Sequence, residues 1–358
     1  MYVEELNNTR EWEDFVESMP TGTFYHSLKW KEVIEKSFPH RAIYLVVKDS
    51  SGKLVGVAPG FFTESIHTKI YDSIPHSDYG GPLIKTPHVS KVSIALLDFL
   101  KHLSSSRGVT YGKFLVIEKA LKNHLSSQKG YAQSSLGVME INLAKTPSQF
   151  IWNVLFSSNR RKKFKQMERR GFHVYEARTK SDLKAFYNLY LQNMEHIGAS
   201  PRSFSFMENA WDTLFPSYLR IWILVNKEPV AAKLFFQFAK KSFSVFVGIK
   251  RDQPQTYTNV PASPINYLTW AEIKKAEEEC ISCVSLGTTP NDPSSEYFLR
   301  KSSMGSSFYP QWTVWTPFNT FGRVLVQMRS TSVSLGKTVR PFLPDTLTRI
   351  LEDKVDAL

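Results

Sequence analysis

Residues 220–236 read RIWILVNKEPVAAKLFF, and half a chain earlier residues 41–59 read RAIYLVVKDSSGKLVGVAP. Each stretch is a pair of apolar, β-branched runs around a turn, Ser50-Ser51-Gly52-Lys53 in the first and Asn226-Lys227-Glu228-Pro229 in the second. That is hairpin chemistry, with strands over 41–47 and 54–59 in one case and over 220–225 and 230–236 in the other. The surroundings repeat too. Two helices precede each hairpin, 9–18 and 27–36 before the first, 181–195 and 203–214 before the second, and most open on Ser or Thr. Another helix follows each, 90–103 and 264–279. Two similar units in one chain imply an α/β (α+β) fold of two tandem domains, each a mixed twisted sheet flanked by helices.

Length and composition agree. A chain of 358 residues with 42% hydrophobic residues, including 25 Phe, 15 Tyr and 8 Trp, has material for two cores. No apolar run approaches the roughly 20 residues of a membrane span, and the polar start MYVEELNNTREWEDF has no signal core, so a cytoplasmic protein is expected. Two cysteines exclude a disulfide framework and fit a reducing compartment. The net charge of +12 points to polyanions: RNA, nucleotide phosphates, or an anionic membrane face touched peripherally.

Residues 150–170 read as one long basic helix stopped by Gly171, with Arg160, Arg161, Lys162, Lys163, Lys165, Arg169 and Arg170 against the single acid Glu168. Like charges this dense repel, which favours an anionic partner over a merely solvated face. The helix introduces the second unit. The division falls near residue 145, and 321–358 returns to strand and helix signals after the second unit is complete. The expected organisation is 1–145 plus about 319–358 as domain one and 146–318 as domain two.

The motifs His26-Ser27-Leu28-Lys29-Trp30, Gly56-Val57-Ala58-Pro59, Asp78-Tyr79-Gly80-Gly81-Pro82-Leu83, Arg160 through Gly171, Gly198-Ala199-Ser200-Pro201-Arg202, Pro229-Val230-Ala231-Ala232, Ser285-Leu286-Gly287 and Lys301-Ser302-Ser303-Met304-Gly305 follow one another in this order. The series resembles the FemAB-like transferases, which carry two GCN5-related N-acetyltransferase-like (GNAT-like) domains in one chain. The resemblance spans about residues 10 to 320. It implies transfer of an acyl or aminoacyl group to an amine of a cell-surface or cell-wall-like precursor, with a nucleotide- or lipid-linked acceptor. Characterised members draw the aminoacyl group from tRNA. The sequence departs from the family ending, which has a Phe-Lys pair, two residues, an aromatic and Gly: Arg300 and Met304 stand where the aromatics belong. No Arg/Gln-x-x-Gly-x-Gly/Ala loop for a CoA pyrophosphate is legible either, which weighs against an acyl-CoA-dependent N-acyltransferase as the alternative. A tandem binding module without catalysis is the third reading. No bound cofactor is expected; the donor, aminoacyl-tRNA or acyl-CoA, is a substrate.

Amide formation needs a deprotonated amine, a stabiliser for the oxyanion and grips on phosphates. Lys301 is the candidate oxyanion stabiliser. Glu118, ending the apolar run 114–117, is the candidate base or amine-orienting carboxylate, with an N-cap as its structural alternative. Asp78, Tyr79 and Gly80 are candidates for the acceptor site, and Lys36 and Arg202 for phosphate contacts. Gly287, Thr288 and Thr289 mark a place where a strand can splay to admit substrate. Asn266 and Tyr267, at the start of a helix, offer backbone amides to an acyl group. Arg160, Arg161, Lys162, Lys163 and Lys165 are the nucleic-acid candidates. Cys280-x-x-Cys283 follows three glutamates at a helix end, which disfavours thiolate, and reads as neither redox nor zinc. The nine histidines show no ligand spacing, so no metal is expected.

Overall fold

The computed structural model describes residues 1–65, 68–78, 80–127, 129–251 and 261–339. They form two compact units. Unit one holds Met1–His26, Pro39–Ser135 and the chain from Gln311 onward; unit two holds Ser27–Phe38 and Leu136–Pro310. The expected organisation differs from this at three places, one being strand Trp312–Pro317, expected in domain two and found in a sheet of unit one. Strand Leu136–Asn142 lies in the sheet of unit two, between Cys283–Pro290 and Ser307–Pro310. Helix Leu28–Ser37 also belongs to unit two, because its Trp30 ring packs edge-on against Phe206 and Phe236 at 6.2 and 5.4 Å.

Unit one has two sheets. The first runs Tyr2–Glu5, Leu45–Lys48, Leu54–Ala58, Leu83–Ile84, all antiparallel. The second runs Arg41–Ala42, Phe61–Ser65, Thr68–Asp72, Val109–Val116, Trp312–Pro317, Tyr131–Gln133, with one parallel pair between Thr68–Asp72 and Val109–Val116. The strand expected over 41–47 is therefore two strands in two sheets. The break comes at Ile43 and Tyr44, whose backbone bonds go instead to Gly60 and Leu6. Helix Val89–Arg107 covers the core with Val92, Leu96, Leu97 and Leu100, and helix Thr320–Val339 lies against strands Trp312–Pro317 and Val109–Val116.

Unit two is one seven-stranded sheet in the order His173–Glu176, Leu219–Asn226, Glu228–Phe238, Lys241–Ile249, Cys283–Pro290, Leu136–Asn142, Ser307–Pro310. Its hairpin turns on Lys227 alone, at φ 64°, tighter than the four-residue turn expected. Helices Lys180–Ile197, Phe204–Leu214 and Pro264–Glu278 flank the sheet. The first starts on a Thr179/Asp182 capping box, not on Ser181. Ser203 caps the second as expected.

The long basic helix is interrupted. Ser148–Phe150 runs into a single wide π turn, Ile151–Leu155; Phe156 is extended, and Ser157 caps a new helix, Ser158–Arg169. Arg161 sits in the break and donates to the carbonyls of Trp152, Asn153 and Phe156, at 2.9, 3.1 and 2.6 Å. It fills the place of the amides that a continuous helix would have supplied. No helix among the described residues is long and apolar enough to cross a membrane.

Candidate functional site

In unit two the sheet opens. Strand Lys241–Ile249 lies parallel to Cys283–Pro290 but pairs with it only through Lys241↔Cys283, Ser242↔Val284 and Phe243↔Ser285. Both strands bulge where they part. Val245 is extra between the pairs Phe235↔Ser244 and Leu234↔Phe246, and Leu286 and Gly287 together oppose Met139. Bulges bend a strand and end its pairing, so the two strands leave a gap. Gly287 takes φ 75°, which a side chain would resist.

Lys301 is fixed beside this bulge. Ser295 caps the short helix Glu296–Ser302, whose last turn carries the lysine. Its Nζ donates to the carbonyls of Gly287 and Thr288, at 3.2 and 2.6 Å. The ammonium is thus positioned by the stretch expected to splay. Thr289, next along, is 1% exposed, and its hydroxyl has no hydrogen-bond partner among the described residues. A buried orphan hydroxyl carries a cost that a bound polar group relieves.

Below the opening lies a polar cluster that the sequence reading missed. Lys233 and Glu272 are 3% and 1% exposed and paired at 2.5 Å. Thr269 accepts from Lys233, and Ser242 and Ser244 donate to the Glu272 carboxylate. The cluster ties strands Glu228–Phe238 and Lys241–Ile249 to helix Pro264–Glu278 at the level where the parallel pairing ends. A lysine inside the apolar run 230–236 was its signal.

Unit one holds a small pocket lined by Thr21, His26, Gly80, Pro82, Val116 and Glu118 among others, with space for about one water-sized group at its floor. Glu118 ends the strand as expected and stands at the N-cap of helix Lys119–Ser126, yet its side chain caps nothing. It accepts instead from the Thr21 hydroxyl at 3.2 Å. Burial raises its pKa, and the Thr21 hydrogen bond offsets this in part. Buried His26 accepts at Nδ1 from the Thr23 amide, which leaves Nε2 as the donor to the Gly81 carbonyl at 3.2 Å. Gly81 is obligatory: φ is 88°, and a Cβ would lie 2.4 Å from the Leu115 carbonyl oxygen. Gly80 passes close to the Ser73 carbonyl in the same way, so its place is a packing one. Asp78 accepts from Gln311 through its backbone carbonyl. It faces buried Tyr25, whose phenol pKa is driven well up by burial and then by the Asp78 charge. Tyr79 lies outside the described residues. Thr21 carries no distinctive spacing and becomes visible only through tertiary contact, whereas His26 opens the first motif of the series without its pocket role being legible there.

A carboxyl whose folded pKa is raised costs stability once ionised. Its contribution is intact below the unfolded value near 4.5 and is lost as pH rises through the higher folded value. Glu118→Gln is therefore expected to melt at about the wild-type temperature at pH 4 and above it at pH 7. Parallel melts at both pH values check this; an equal offset at the two would remove the buried-carboxyl account.

The remaining candidates divide. Lys36 is ion-paired with Glu32 at 2.7 Å and reaches Thr213. Arg202 precedes the other end of that same helix, Phe204–Leu214, about 15 Å away by helical rise, so the two do not meet on one phosphate. The Arg202 backbone is held on both sides, by the Tyr187 hydroxyl at 3.0 Å and the Tyr190 hydroxyl at 2.9 Å. The amides of Asn266 and Tyr267 are taken by the side chain and carbonyl of the cap residue Ser263, which removes them as hydrogen-bond donors to an acyl group. Burial, with Glu168 nearby, pushes the Tyr267 phenol up to about 12. Arg160 also leaves the nucleic-acid set: it donates to the Ser303 carbonyl and hydroxyl at 2.7 and 3.0 Å and stacks over Phe156. Arg161 is committed to the helix break. Lys162, Lys163 and Lys165 remain exposed. Cys280 is exposed and Cys283 half-buried, both as free thiols, with burial pushing Cys283 up to about 12.

Arg161→Ala is expected to cost about 1–3 kcal/mol, because three carbonyls lose their donor at once. Changing Lys162, Lys163 and Lys165 together to Gln should stay within about 0.5 kcal/mol. Urea denaturation of both variants separates the internal arginine from the surface lysines.

Residues 158–298 match the family model described as "Acetyltransferase (GNAT) domain". Comparison with curated proteins gives no match. Among solved structures, FemX is similar with a TM-score of 0.69 at 15% identity, over 87% of this chain and 97% of that one. A tandem GNAT protein from the clavulanic acid biosynthesis pathway has a TM-score of 0.57 at 10% identity, over 88% and 98%. L-PGS from Bacillus licheniformis has a TM-score of 0.54 at 10% identity, over 87% and 93%. At such identities the likeness is one of fold: this chain has the FemX-like tandem GNAT architecture.

Proposed function

We propose that this tandem GNAT-like chain is an aminoacyltransferase, moving an aminoacyl group from tRNA to an amine of an envelope precursor. The observation that carries the reading is the gap in unit two with the Lys301 ammonium fixed on the bulge carbonyls at 2.6 and 3.2 Å. In the reaction the amine attacks the ester carbonyl, a C–N bond forms, and the carbonyl oxygen becomes an oxyanion. The C–O bond then breaks, the amine gives up a proton, and the ribose hydroxyl leaves with one. A positioned cation acts on the oxyanion, which exists only after attack, and so favours the transition state over the ground state. We assign the Glu118 pocket of unit one to acceptor recognition: a half-buried carboxyl held by the Thr21 hydroxyl, its pKa raised by burial, is an acceptor for an amine or hydroxyl of the acceptor.

The choice of an aminoacyl over a CoA donor rests on helix Pro264–Glu278. Its first residue is a proline without an N–H, and Ser263 occupies the amides of Asn266 and Tyr267 through its side chain and carbonyl. That helix start has few donors left for a pyrophosphate. Thermal shift with uncharged tRNA and with acetyl-CoA, side by side, tests the choice. Stabilisation by tRNA that fades with salt is expected, and stabilisation by acetyl-CoA alone would reverse it.

A further inference from the structure

Just before the cationic helix Ser158–Arg169, three large apolar side chains stand in water: Phe150 at 44%, Val154 at 62% and Leu155 at 41% exposure. They crowd the wide π turn, and the Arg161 contacts to carbonyls 152, 153 and 156 hold that turn against the start of the helix. The helix buries Phe164 and Met167. Lys162, Lys165 and Arg169 follow at i, i+3 and i+7, an exposed row away from that core. Arg160 and Arg161 are satisfied internally, so the exposed cations are those of this row and its flanks.

We infer that this surface of unit two docks on an anionic lipid bilayer, with Phe150, Val154 and Leu155 entering the headgroup–acyl boundary and the Lys162–Lys165–Arg169 row lying on the headgroups. Charge complementarity names the occupant: a row of cations on a chain of net charge +12 meets an anionic sheet. The apolar group then chooses lipid over RNA. Aliphatic Val154 and Leu155 gain from hydrocarbon and gain little from phosphate or base stacking. An apolar cluster next to a lysine row is the composition of an interfacial anchor, here built from a turn that a continuous helix would not have presented. The inference goes beyond the donor question and holds for either donor.

Co-sedimentation with vesicles of phosphatidylglycerol and phosphatidylcholine, and with phosphatidylcholine alone, tests it on the full chain. Wild type is expected to sediment with the mixed vesicles only. Lys162→Gln with Lys165→Gln should lower that binding about ten- to thirty-fold, and Phe150→Ser with Val154→Ser should lower it comparably. Val154→Trp, at the most exposed of the three positions, keeps the test sharp if the serine pair misfolds: its fluorescence should shift blue with mixed vesicles and stay unchanged with phosphatidylcholine. Absence of vesicle binding overturns the inference, as does binding indifferent to the apolar changes. Loss of tRNA binding in the lysine variant, without any vesicle binding, would make the surface an RNA site and also overturn it.

Discussion

Glu272→Ala is expected to destabilise the protein by about 3–5 kcal/mol, the cost of leaving a buried charge without its partner. The Lys233 ammonium, 3% exposed, would lose its carboxylate partner, and the hydroxyls of Ser242 and Ser244 would lose their acceptor. Urea denaturation reads the loss. A pair of changes separates charge burial from packing. Lys233→Met with Glu272→Leu should regain most of the stability, since apolar residues of similar volume often replace a buried ion pair at little cost. Recovery should be incomplete because Thr269, Ser242 and Ser244 stay without partners. A double variant as unstable as the single would show that the cluster holds the sheet by geometry that apolar groups cannot reproduce.

Lys301→Ala is expected to lower turnover on the order of 10²–10³-fold while donor affinity stays near wild type, the pattern of a contact made as charge develops. The side chain is half-buried and its hydrogen bonds go to two strand carbonyls, so stability should fall by no more than about 1–2 kcal/mol. Equal losses in affinity and turnover would instead describe a ground-state grip. Unfolding of the variant would describe a lysine whose task is to hold the bulge.

The contrast between Lys301 and Arg161 shows how far the sequence could be read. Both are basic residues in polar surroundings. The position of Lys301 in an ordered motif series marked it as a candidate, and the fold brings its ammonium to the strand expected to splay. Arg161 was counted with a cationic row because the run 150–170 has helical composition throughout. The break comes from extended Phe156 and from Ser157, which caps better than it propagates. Hairpins and helices were legible because strand composition and caps are local. The split of 41–47 between two sheets was not, since it depends on backbone bonds from Ile43 to Gly60 and from Leu6 to Tyr44. The same holds for the pocket: Glu118 could be picked as a carboxylate at a strand end, but Thr21 reaches it across 97 residues of chain. The Lys233–Glu272 cluster lies between these cases, with a charged residue in an apolar strand announcing a partner that only the fold identifies.

The central claim is aminoacyl transfer from tRNA at the open sheet of unit two, and label transfer in a single turnover tests it most directly. Protein in excess over radiolabelled aminoacyl-tRNA, with a small primary amine as generic acceptor, is expected to move the label onto the amine as an amide. Lys301→Ala should do so on the order of 10²–10³-fold more slowly. Label that stays on tRNA with wild-type protein, while labelled acetyl-CoA acylates the same amine, would contradict the account.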